Sequence, residues 1–313
     1  MSTSGILLVD KPGGITSHDV VSRVRKLAGT RKVGHAGTLD PMATGLLILG
    51  IDASTRLLTY LVGLDKEYFA TIRLGFATTT DDAEGDPLGE VADVAGVTAD
   101  AIAAAIRPLI GQISQIPSSV SAIKVDGKRS YDRVREGEEF TLPARAVTVS
   151  AFEVIAQRPG ELDVRVECSS GTYIRALARD LGAALGVGGH LTALRRTRIG
   201  PFDVSDAGTL GDTLLDSLRS PAAVATKLFE SVQLTAIEER ELMQGKRPLL
   251  TNLDTRLANS PGPIAAIGQN GNLTGLISAS AGVGRVLVNF PTDLTGPSSG
   301  GTVSGAQTLK AQS

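Results

Sequence analysis

The sequence predicts an α+β protein in two parts: a mixed, largely antiparallel sheet flanked by helices, then a small β-rich unit. Three observations carry this. Helical and strand periodicities intermix without strict βαβ alternation. Short strand-like runs separated by Gly and Asn turns recur after residue 232. The chain of 313 residues is also about two domains long at roughly 150 residues each. With 42% hydrophobic and 20% charged residues, it excludes wholesale disorder, collagen and coiled coil.

Gly5–Val9 reads as a short buried strand ended by the turn cluster Asp10-Lys11-Pro12-Gly13-Gly14. Ser17 reads as the N-cap of a helix over 18–28, with Val20, Val21, Val24 and Leu27 on one face and Arg23 and Lys26 on the other. Residues 67–75, 147–156 and 162–168 are β-branched and aromatic enough for strands. Residues 99–110 and 174–185 read as helices, and the second leaves Arg175 and Arg179 off its apolar stripe. The pattern weakens over 203–231. A short helix from Ile237 closed by Gly245 then precedes strands at 264–267, 273–277 and 285–290. The expected domains are 1–231 and 232–294, and the Gly, Ser, Thr and Gln-rich segment 295–313 is expected to be a disordered tail.

The net charge is −2, but its distribution is uneven. Residues 23–32 hold Arg23, Arg25, Lys26, Arg31 and Lys32 with no acid, and residues 171–200 hold Arg175, Arg179, Arg195, Arg196 and Arg198 against Asp180. Each run could meet phosphate or form a solvated face. Seven acids and no base lie between Leu74 and Ile106. One Cys excludes an internal disulfide, and His18, His35 and His190 stand at no zinc-ligand spacing, so no metal is expected. No signal-peptide or 18-residue apolar run is present, so a soluble, cytoplasmic protein is expected.

Gly45–Gly50 has phosphate-loop glycine spacing, but Ile51-Asp52 stand where Lys and Ser/Thr are required. There is no dinucleotide fingerprint and no Gly-x-Ser-x-Gly elbow. What remains is Gly34-His35-Ala36-Gly37-Thr38-Leu39-Asp40-Pro41-Met42-Ala43-Thr44-Gly45. On its own, Asp40 before Pro41 reads as a helix N-cap with Pro at the first helical position.

That segment resembles the signature of the TruB family, bacterial tRNA pseudouridine synthases acting on uridine 55 of the TψC loop. Further resemblances follow in order: Leu8-Val9-Asp10-Lys11-Pro12; Lys66-Glu67-Tyr68 with Thr80-Asp81-Asp82-Ala83-Glu84-Gly85; Gln115-Ile116-Pro117-Ser118 with Ser121–Arg129 and Tyr131; and Gly171-Thr172-Tyr173-Ile174-Arg175 with Leu194-Arg195-Arg196. Five ordered blocks span about residues 5–200.

The resemblance implies the pseudouridine synthase fold with a PUA-like C-terminal RNA-binding domain. It makes Asp40 the catalytic aspartate, paired with Arg175, a partner that offsets the desolvation of a carboxylate in a water-poor cleft. It implies that Tyr68 stacks on uracil and that Tyr173, a second ring, assists proton removal from C5. Leu194 then lines the pocket, Asp82 contacts the flipped nucleotide and His35 fills the space the base vacates. Lys11, Lys124 and the arginine runs would contact phosphate. The implied partner is the T arm of tRNA, met by a monomer with no protein partner, no membrane and no cofactor, since the isomerisation involves neither redox change nor hydrolysis. Cys168 reads as a small buried hydrophobe. One alternative is a tRNA-binding or tRNA-folding protein whose role needs no chemistry; the other is the guide-RNA-dependent branch, disfavoured by the lack of long basic extensions.

Overall fold

A ten-stranded mixed sheet organises the first unit of the computed structural model, which describes residues 4–118, 124–125, 128–129 and 143–290. Its strands are β1 (Gly5–Lys11), β2 (Val33–His35), β3 (Thr44–Ile51), β4 (Lys66–Leu74), β7 (Gly111–Gln115), β10 (Arg145–Arg158), β11 (Glu161–Cys168), β12 (Gly189–Ile199), β13 (Phe202–Asp203) and β14 (Gly208–Thr209). Two-stranded ribbons stand apart, β5 (Ala77–Thr78) with β6 (Pro87–Leu88) and β8 (Lys124–Val125) with β9 (Lys128–Arg129). The main order is β14-β1-β3-β12-β4-β11-β10-β7, with β2 on β3 and β13 on β12. Only β1–β14 and β3–β12 are parallel.

Local chemistry explains the elements. The run Gly45–Ile51 is buried throughout, as a central strand covered on both faces must be. Helix α1 (Ser17–Ala28) packs Val20, Val21 and Val24 against Leu7, Val9, Leu47 and Leu49. Its N-cap is Thr16, in a capping box with Asp19, and not the expected Ser17, which is engaged elsewhere. Short α2 (Leu58–Val62) precedes β4, and α3 (Ala99–Ile106) continues as a 3-10 turn through Leu109. Helix α4 (Ile174–Ala184) seats Ile174, Leu177, Ala178 and Leu181 on the inner residues of β4, β11 and β12. Helix α5 (Pro221–Leu228) closes this unit, whose boundary falls between Phe229 and Glu230.

One further expectation fails here. No helix follows Asp40: residues 36–43 are an irregular loop, and the chain enters β3 at Thr44, so the N-cap reading is wrong. The segment 189–199 is a central strand, because Arg195, Arg196 and Arg198 each find a partner within the fold.

The second unit, taken by itself, is a four-stranded sheet ordered β15 (Ser231–Gln233), β16 (Ile264–Ile267), β17 (Leu273–Ser280) and β18 (Val283–Asn289). Val232, Leu234, Ile264, Ala266 and Ile277 form its core with Leu242 of helix α6 (Ala236–Met243), which Thr235 and Glu238 cap as a box. The expected tail 295–313 lies outside the described residues. Among those described, no helix is long and apolar enough to cross a membrane.

Gly45 pairs with Arg196 across β3 and β12 at φ +101°, where an added Cβ would stand 2.2 Å from the Arg196 carbonyl oxygen. Both strain and overlap oppose a side chain, so Gly45→Ala is expected to cost about 3 kcal/mol or more in chemical denaturation.

Candidate active site

The loop from Ala36 to Ala43 is held from several sides. The Ala36 amide donates to Ile48 O at 2.9 Å, and the Ala43 amide to Asp40 O at 3.1 Å. Ser17 clamps Leu39, its hydroxyl accepting from the amide at 2.8 Å and donating to the carbonyl at 3.0 Å. Buried Arg196 donates to Gly37 O, Thr38 O and Leu46 O at 3.1, 3.3 and 2.8 Å. Lys11 is also buried, donating to Pro12 O, Ile15 O and Pro41 O at 2.9, 2.8 and 3.2 Å, and burial pushes its ammonium down to about 8. Lys11 therefore braces the loop that bears Asp40.

Arg175, in the first turn of α4 and only 4% exposed, grips Asp40 with two nitrogens. Its Nε meets Oδ2 at 3.0 Å and its Nη2 donates to Oδ1 at 3.1 Å. Nη1 donates to Thr80 O at 2.8 Å and pairs with Asp82 Oδ2 at 3.2 Å. Asp40 keeps a third of its side chain exposed, whereas Asp82 is buried. The Asp82 carboxylate is occupied by Arg175, the Thr80 hydroxyl at 2.5 Å and the Glu84 amide at 3.1 Å. Asp82 thus pairs with the same guanidinium that grips Asp40 and orients it.

Asp40 and Arg175 open on a cavity of about 250 Å³. Its walls include Lys66, Tyr68, Tyr173, Leu194 and Arg196, with Gly37–Leu39 and Ser169–Thr172 at the rim. Ligand pockets for drug-sized molecules span roughly 300–1,000 Å³, so this one suits a single small ring. Among the described residues that line it, Asp40 is the one carboxylate, and neither His nor Cys joins it. Burial raises the Tyr68 phenol, which stays protonated as a donor. Tyr173 sits at the N-cap of α4, held by Gln115: its amide donates to Oε1 at 2.9 Å, and Nε2 donates to its carbonyl at 3.1 Å.

The fold thus brings Asp40, Tyr68, Tyr173, Arg175 and Leu194 together. His35 stands on β2, two residues before the rim, and is not a wall residue; its Nδ1 has no hydrogen-bond partner among the described residues, and burial with the nearby Arg196 charge lowers its pKa. Lys124 stands on β8, with its side chain outside the described residues. The arginine run at 171–200 is no free patch: Arg179 pairs with Asp81, Arg195 with Asp10 and Arg198 with Glu167. Sequence reasoning passed over Lys66, Gln115 and Arg196 as site residues, although each lies in a quoted block. Among the described residues, no group of three or more His, Cys, Asp and Glu is gathered to hold a metal. Cys168 is buried and its thiol pushed up to about 11, leaving it neutral and inert.

A model of the TruB family pseudouridylate synthase N-terminal domain matches residues 25–174, and one of the tRNA pseudouridylate synthase B C-terminal domain matches 175–232. A tRNA pseudouridine synthase B of Leifsonia xyli subsp. xyli is 58% identical over 300 residues, covering 94% of this chain and 98% of that one. The chain belongs to the TruB family of pseudouridylate synthases. A TruB-family relative from Rhodococcus jostii, also a tRNA pseudouridine synthase B, is 59% identical over 251 residues, covering 78% and 82% of the two chains. The TruB-family fold is shared with a solved H/ACA RNP bound to a substrate RNA containing 2′-deoxyuridine, at TM-score 0.67 and 23% identity over 93% of this chain and 87% of that one. A Cbf5-Nop10-Gar1 complex gives TM-score 0.64 at 25% identity, covering 88% and 79%.

Lys66 of this TruB-family site is buried, donates to Val62 O and Leu64 O, and is lowered by burial from 10.5 to about 8. Between those pH values the unfolded chain holds more protons, so this group's contribution to stability rises with pH. The unfolding free energy of wild type minus that of Lys66→Met is expected to rise by about 3 kcal/mol across the window. Denaturation at several pH values measures it, and a flat difference would contradict it.

Proposed function

We propose that this protein isomerises uridine 55 of the tRNA TψC loop to pseudouridine. The observation that carries the reading is the one carboxylate among the described residues of the cavity wall, Asp40, gripped by a buried arginine beside Tyr68, Tyr173 and Leu194. The reaction breaks N1–C1′, turns the uracil and forms C5–C1′; C5 loses a proton and N1 gains one. A glycosidase ordinarily needs a second positioned carboxylate, and among the described residues lining the cavity Asp40 has no such companion. Asp40 is the group that engages the nucleotide, aimed by Arg175. Tyr68 offers a face and a donor to the uracil, Leu194 an apolar wall, and Tyr173 a phenol for the C5 proton. His35, just outside the rim, is placed to fill the gap left in the RNA stack.

The RNA is reached through a different surface from the cavity. Arg23, Lys26, Arg31 and Lys32 are exposed, and their charged groups make no ion pair or hydrogen bond among the described residues. They lie at the end of α1 and just before β2, the strand that leads to His35 and Asp40. The second unit, a small sheet with one capped helix, serves in this reading as a PUA-like RNA-binding domain over 232–294. The enzyme acts without metal or cofactor, as a cytoplasmic monomer. Identity above 50% to relatives named tRNA pseudouridine synthase B, against 23–25% to the H/ACA RNP and the Cbf5-Nop10-Gar1 complex, favours a tRNA substrate.

The test is conversion of an unmodified tRNA transcript, with pseudouridine mapped by nucleotide. Wild type is expected to convert the T-loop uridine alone, and Asp40→Asn to lose roughly 10³-fold or more in rate. Folded wild type that binds tRNA without converting it would return the binding or folding reading. The double variant Arg23→Glu/Lys26→Glu is expected to weaken tRNA binding roughly tenfold and to lower the salt slope of binding by about 2. Filter binding across a salt series measures both, and an unchanged slope would remove this surface from the RNA interface.

A further inference from the structure

Arg175 and Arg179 stand one helical turn apart on α4 and grip the same short turn of chain. Arg175 takes Thr80 O and Asp82; Arg179 Nη1 pairs with the residue between, Asp81 Oδ2, at 3.2 Å. Two guanidinium groups at i and i+4 repel on a helix face, and interleaved carboxylates relieve this. Asp81 is buried and holds φ +63°, a left-handed backbone that Asp and Asn tolerate better than most residues. Its amide donates to Thr78 O at 3.3 Å, and its carbonyl accepts from Leu191, three residues before the wall residue Leu194, at 3.0 Å. Arg179 Nη2 also donates to Ile116 O at 2.8 Å, next to Gln115, which clamps Tyr173. Its remaining partner is Asp180, its own neighbour on the helix, at 2.9 Å.

We propose that the Asp81–Arg179 ion pair is a positioning device for the isomerisation. It pins the 80–82 turn that supplies two of Arg175's acceptors, and so aims Arg175 at Asp40. Through Ile116 it also ties down the strand end that holds Tyr173. Neither member lines the cavity, so the pair acts on the reacting groups through its neighbours. Removing the Asp81 charge leaves Arg179 its helix neighbour Asp180 and the Ile116 carbonyl, and breaks its link to the turn. The inference rests on the isomerase reading.

The experiment compares Asp81→Asn, Arg179→Gln and the double variant by single-turnover conversion, tRNA affinity and melting temperature. Asn tolerates the left-handed backbone that Asp81 holds. Each single variant is expected to lose roughly tenfold or more in the single-turnover rate constant with Kd for tRNA within about twofold. The double variant is expected to lose no more than the worse single one, as for members of one unit. An unchanged rate, additive losses, a fall in affinity at unchanged rate, or a lowered melting temperature alone would each overturn the proposal. Should Asp81→Asn fail to fold, Arg179→Lys, which keeps a charge for Asp81, is expected to recover part of the rate lost in Arg179→Gln; no recovery overturns it. Conversion by wild type is the control on the isomerase reading. If wild type does not convert, a crystal structure of Asp81→Asn decides the positioning separately: displacement of Arg175 from Asp40 supports it, and contacts retained at 3.0 and 3.1 Å overturn it.

Discussion

A carboxylate that must stay charged in a small cavity needs a cation that cannot leave, and the site is arranged around that requirement. Arg175 is almost fully buried, and a buried guanidinium left unpaired would cost several kcal/mol. Two carboxylates and a carbonyl satisfy it: Asp40 in front, Asp82 and Thr80 O behind. Only Asp40 keeps exposed surface, so the arrangement leaves one carboxylate facing the cavity while the other serves the arginine.

The opposite side of the loop repeats the logic with cations. Lys11, Lys66 and Arg196 are all buried, and each donates to backbone carbonyls: Pro12, Ile15 and Pro41; Val62 and Leu64; Gly37, Thr38 and Leu46. A carbonyl satisfies a donor without cancelling its charge. Positive charge therefore stands near Asp40, with Lys66 and Arg196 lining the same cavity, and the bonds of Lys11 and Arg196 hold an irregular, Gly-rich loop in one shape. The close approach of Gly45 to the Arg196 backbone makes that shape depend on the central strands.

Much of the frame was legible because it follows local periodicity: β1, α1, β4, β10, β11, α4 and the small sheet after residue 230 all fall near where alternation or helical spacing put them. Strand β12 was not, because Arg195, Arg196 and Arg198 break the apolar alternation, and charge in a row reads as surface until its partners are known. The same reason hid the burial of Lys11, whose three acceptors come from two separate loops. Asp40 before Pro41 carries local helix-cap chemistry that the tertiary clamps of Ser17 and Arg196 override. Asp40 and Arg175 are 135 residues apart, so only the ordered resemblance joined them in advance. Asp82 was joined to the same site by the resemblance, but its pairing with Arg175 was not legible, since a sequence does not tell which carboxylates face an arginine.

The most direct test of the central claim is the single-turnover rate of Arg175→Lys on a tRNA bearing the target uridine, measured beside its tRNA affinity. Lysine keeps the charge but cannot span Asp40, Asp82 and the Thr80 carbonyl with a planar fork. The account expects a rate lower by roughly 10²-fold with affinity nearly unchanged. A variant that turns over like wild type would contradict it, showing that a nearby positive charge is enough and that the geometry of the buried guanidinium is not what the site depends on.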